Sequence, residues 1–126
     1  MDVSTREGEI RARLADIGGP EPGDGERALM ARLARSFVAK TPGGVDRLAE
    51  LLRGGDHRAV QDQAHSLKGS AANIGADQLA AIFREVEDSA RDGVVPDPDL
   101  TLGRLAAEQA LVLGLLESLA KELEPS

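Results

Sequence analysis

Glycine and proline cut this chain into short segments, and within each segment the apolar residues recur three and four positions apart. No window shows the strict alternation of a strand, and there is no internal repeat. The pattern restricts the chain to an all-α fold. Ser4 and Glu7 read as a capping box that opens a first helix over about residues 5–17, closed by Gly18-Gly19-Pro20. A second helix is expected over about 26–40, with Leu29, Leu33 and Phe37 as its apolar stripe and Thr41-Pro42-Gly43-Gly44 as its stop. A third, about 45–53, carries Val45, Leu48 and Leu52. Asp56 is a suitable N-cap for a fourth that reaches Ile74, with Gly75 ending it. The fifth runs from Asp77 to Asp92-Gly93 with Leu79, Ile82, Phe83, Val86 and Ala90 on one face. The sixth, about 100–123, is the longest; Leu105, Val112, Leu116 and Leu123 form its main stripe. Leu111 and Leu115 lie off that line and are expected to meet one of the first two helices, self-association being the other use for them.

Amphipathic helices joined by short loops predict an antiparallel four-helix bundle, with one or two additional N-terminal helices packed over one end. Residues 5–40 supply those extra helices and 45–123 the bundle core, within a single domain spanning 1–126. Phe37 and Phe83 are the only aromatic residues, so the core is aliphatic and no base-stacking surface exists. A net charge of −7 opposes binding to a phosphate backbone. The absence of cysteine removes disulfides and thiolate-bound zinc, and is compatible with a reducing, cytoplasmic setting. The segment Met1–Gly8 is polar and does not read as a secretion signal, and the apolar run Leu111–Leu116 is too short to cross a bilayer. Length, the initial Met1 and the polar ending Pro125-Ser126 read as a free-standing protein.

The fourth helix concentrates the chemistry. At about 100° per residue, Val60, Ala64, Leu67, Ala71 and Ile74 share a core arc, and His65 points about 140° away from it. Lys68 is its i+3 neighbour, within reach of whatever the imidazole carries. Gly69 sits inside the helix at a cost of about 1 kcal/mol relative to alanine. No turn requires it, so the expected return is room beside His65, extended by Ala72. Gln61, one turn back, either orients the ring or is a plain surface glutamine. A neutral imidazole, with an ordinary pKa of about 6.5, has a free lone pair for attack on a phosphoryl group, and an adjacent ammonium would offset the charge of the product. The chain has no nucleotide fingerprint or phosphate-cradling loop, so the rest of the machinery must come from a partner.

The run His65-Ser66-Leu67-Lys68-Gly69-Ser70-Ala71-Ala72-Asn73-Ile74-Gly75 resembles the signature of histidine-containing phosphotransfer (HPt) domains. The likeness is good from about Leu29 to Gly93, including Gly55-Asp56, Ala64, Leu79 and the Glu87 to Gly93 ending. It implies a four-helix bundle with His65 as phosphoacceptor, Lys68 as its electrostatic partner and Gly69 as the access residue. It also implies a phosphorelay intermediate without kinase activity of its own, exchanging phosphate with aspartates of receiver domains of a hybrid histidine kinase or a response regulator. Family members often set a polar side chain from the following helix against the imidazole. Glu87 stands near that position, where a carboxylate would repel a phosphoryl group.

The partner surface is expected at Gly69, Ala72 and Gln61, and the protein is expected to be a monomer. It needs no metal or cofactor of its own, Mg²⁺ being supplied by the receiver. The alternative is a helical docking or inhibitory module that binds a kinase or receiver domain and is never phosphorylated. A metal-dependent hydrolase is a distant third, since no ligand set accompanies His65 and His57.

Overall fold

The computed structural model describes residues 3–124. The polar ends read above at Met1-Asp2 and Pro125-Ser126 lie outside them. The described residues form five helices and no strand: α1 (Val3–Gly18), α2 (Asp24–Gly54), α3 (His57–Asn73), α4 (Asp77–Arg91) and α5 (Pro98–Leu123). Short turns reverse the chain between α2 and α3 and between α3 and α4, and a slightly longer link leads to α5, which gives an antiparallel bundle of α2–α5. Most of the packing is α3 against α4 and α2 against α5. None of these helices is long and apolar enough to cross a membrane.

The second and third expected helices are one. α2 runs through Pro42 without a stop, across the boundary expected between residues 40 and 45. An internal proline costs about 3 kcal/mol because it removes a hydrogen bond and crowds the preceding turn. Phe37, Thr41, Val45, Leu48 and Leu52 are all buried on one side of α2, spanning the proline. Each large apolar side chain among them contributes about 1.5–3 kcal/mol on burial, so packing outweighs the local penalty. Gly44 serves this packing: a β-carbon there would stand 2.7 Å from Cδ2 of Leu67 on α3, and its carbonyl accepts a hydrogen bond from Gln63. The expected Leu29/Leu33 stripe is also corrected. Met30, Ala31 and Ala34 face the core, and Leu29 and Leu33 are exposed, because the neighbouring helices cover the other face of α2.

α1 is the added N-terminal helix. It begins at Val3, so Ser4 lies inside it and does not cap it. Ile10 and Leu14 are buried beneath it, and Arg6 grips Glu108 of α5 with Nε and Nη2 at 2.8–3.1 Å. Arg13 donates to the Asn73 carbonyl at the end of α3. Gly75, at φ +82°, makes the turn from α3 to α4 in a left-handed conformation that favours glycine. A β-carbon there would also stand 2.7 Å from the Glu9 carbonyl oxygen, so the same residue lets α1 close over the turn.

Candidate functional site

α3 starts where the sequence indicates. Asp56 caps it by accepting from the backbone amides of Arg58 and Ala59. That start fixes the helical phase. Val60, Ala64, Leu67 and Ala71 go into the core, and His65 is turned outward with 67% of its side chain exposed. The core face of α4, with Leu79, Ile82, Phe83, Val86 and Ala90 buried, sets the phase of the facing helix. One acid shares its buried side: Glu87, only 4% exposed.

Glu87 organises the site. Its Oε2 lies 2.7 Å from Nδ1 of His65, and its Oε1 lies 2.6 Å from Nζ of Lys68. The ammonium meets Oε1 as an ion pair off the direction of an aligned hydrogen bond. Arg91, one turn further along α4, reaches Oε2 at 3.3 Å and also pairs with Asp88 at 2.9 Å. Burial pushes the Glu87 carboxyl up, but Lys68 and His65 outweigh it and hold the group below the ordinary carboxylate value. Glu87 is therefore an anion at neutral pH and can only accept. Nδ1 must carry the hydrogen between them, which leaves the lone pair on Nε2, the ring nitrogen on the far side from the acid.

The repulsion expected of Glu87 does not arise in that form. The carboxylate sits behind the ring at Nδ1, not beside the nitrogen that faces solvent, and Lys68 offsets its charge. Lys68 itself is 28% exposed and pairs directly with the acid. Nothing lies within 4 Å of a β-carbon added to Gly69, so this glycine answers to no packing need. Ala72 is exposed beside it. Gln61 is half-buried one turn before His65, and the ring's orienting contact comes from Glu87 instead. Ser70 and Asn73 face a separate groove against α1 and α2.

The bundle and its site together define a helical protein that carries an exposed imidazole held in one orientation by a buried carboxylate. The Hpt domain family model matches residues 32–124, and the chain belongs to that family. Its members take part in histidine phosphotransfer in phosphorelay signalling, work with receiver domains, and are carriers rather than kinases. The match extends through α5, beyond the stretch in which the signature is evident by eye. No curated protein and no solved structure matches the chain.

Two features escape the sequence reading. Arg91 joins the Glu87 cluster, a contact that its spacing alone does not announce. Arg6 and Glu108 form a largely buried ion pair between residues far apart in the chain. A signal for both acids was present. Glu87 follows Phe83 by four residues, and Glu108 lies between Leu105 and Val112, so each falls on an otherwise apolar line.

Proposed function

We propose that His65 carries the phosphoryl group and exchanges it with aspartates of receiver domains, in a hybrid kinase, a response regulator or both. The observation that supports this reading best is the 2.7 Å contact between Nδ1 of His65 and a buried carboxylate, on a ring otherwise open to solvent. When a phospho-aspartyl receiver docks, Nε2 attacks the phosphorus in line. The N–P bond forms as the P–O bond to the aspartyl carboxylate breaks, and the carboxylate leaves with the electron pair. The ring gains positive character as it bonds phosphorus, and Glu87 stabilises the hydrogen on Nδ1. Lys68 keeps Glu87 ionised and oriented, and lessens the negative field that the phosphoryl group meets. Gly69 and Ala72 leave the approach clear for the receiver, with Gln61 at the rim. The receiver brings Mg²⁺, and this chain contributes the imidazole without kinase activity. The proposed setting is cytoplasmic and the proposed working form a monomer.

His65→Gln tests the assignment. The variant should keep its helical content by circular dichroism and lose all phosphate uptake from a phosphorylated receiver. Retained acid-labile, base-stable label in that variant rejects His65 as the acceptor.

A further inference from the structure

The cations near the ring are not equivalent. Lys68 is engaged by Glu87 at 2.6 Å. Arg91 is divided between Glu87 at 3.3 Å and Asp88 at 2.9 Å. Arg84 is exposed, and among the described residues no acid stands within ion-pair distance of it.

The α3–α4 hairpin sets its position. The two helices run antiparallel, and Glu87 touches both His65 and Lys68. Arg84 precedes Glu87 by three residues, about 4.5 Å along the helix axis. It shares a cleft of about 340 Å³ with Lys68, Gly69, Ala72, Ala81 and one acid, Asp77. Its small lining residues are Gly69, Ala72 and the alanines of α4, the Gly69 position is open, and Asp77, seven residues before Arg84, lies about 10 Å along the helix axis from it, on the side away from Glu87. Lys68 is thus a wall of this cleft and also a member of the His65–Glu87 cluster.

Charge gives the cleft a purpose. A phosphoryl group on the ring adds close to two negative charges. Glu87 and Lys68 cancel each other, so neither supplies a net cation for it. Resting on the reading of His65 as phosphoacceptor, we propose that Arg84 is the residue that binds the phosphoryl group once His65 carries it. Its planar guanidinium donates N–H groups to the phosphoryl oxygens, which a point charge tied to Glu87 cannot do as well.

Phosphoramidate tests this without a cognate receiver. Nε2 bonds the phosphorus as the P–N bond breaks, and the protonated nitrogen of the donor leaves as ammonia. Uptake rate and phosphohistidine half-life are followed by phosphorus NMR on the full chain. Arg84→Ala should slow uptake and shorten the half-life, each about fivefold, the size of a strong exposed ion pair. Arg84→Lys should recover most of both. In concentrated urea the half-lives of the parent and Arg84→Ala proteins should coincide, because the effect needs the folded cleft. Equal rates and half-lives for parent and Arg84→Ala under native conditions overturn the assignment of Arg84 alone. A parent protein that takes up no phosphate at His65 overturns the phosphoacceptor reading together with it.

Discussion

Two buried glutamates serve this bundle differently. Glu87 on α4 and Glu108 on α5 are 4% and 3% exposed, and each lies on an otherwise apolar line. Glu108 is gripped by Arg6, whose own side chain is only 16% exposed, through three contacts at 2.8–3.1 Å. Both partners are enclosed, and the pair ties α1 to the bundle. Glu87 faces an imidazole that is 67% exposed and shares its charge with Lys68 and Arg91. Burial of an acid is common to both. What separates the two acids is the exposure of the partner: 16% for Arg6 and 67% for His65.

That contrast can be broken by substitution. The largest loss of stability should follow Glu108→Ala, which takes the buried carboxylate away from a largely enclosed guanidinium: about 3 kcal/mol, read by urea unfolding, with the phosphorylation rate of the remaining folded protein unchanged. Replacing Arg6 and Glu108 together by apolar residues of similar volume should return most of it. Glu87→Gln should cost less, about 1 kcal/mol, because His65, Lys68 and Arg91 all reach water. It should still slow phosphate uptake about tenfold, since an amide no longer enforces the hydrogen on Nδ1 or stabilises charge there.

Acidification isolates the contribution of Glu87. Glu87 has a lowered pKa in the folded protein, so its contribution is full above the ordinary carboxylate value of 4.5 and is lost as pH falls through the lower folded value. The parent protein should lose stability over that range relative to Glu87→Gln, measured by thermal unfolding in a pH series. An unchanged difference between the two across the series would contradict the pairing. The smallest effect is expected at the site's other edge. Gly69→Ala should stabilise the free protein by up to about 1 kcal/mol, since the position is open, while a bulky Gly69→Leu should slow transfer from a receiver more than it slows phosphoramidate uptake.

Much of this was legible in the chain. The phase of α3 follows from Asp56 and the spacing of Val60, Ala64, Leu67 and Ala71, so the outward direction of His65 needs no tertiary information. Gly75 likewise announces its own turn. What failed depended on neighbours. Pro42 reads as a stop because local rules see the lost hydrogen bond and not the apolar side chains buried on both sides of it. Leu29 and Leu33 read as core because spacing cannot tell which of two apolar faces a neighbour will cover. Glu87 reads as a repulsive acid because sequence shows its proximity to His65 but not which ring nitrogen it meets.

The most direct test of the account is the nitrogen that holds the phosphate. With ¹⁵N-labelled histidine, the phosphorylated protein should give NMR signals of a single phosphohistidine at residue 65, bonded through Nε2, with Nδ1 still bearing hydrogen. A phosphate bonded through Nδ1, or carried by any other residue, would contradict it.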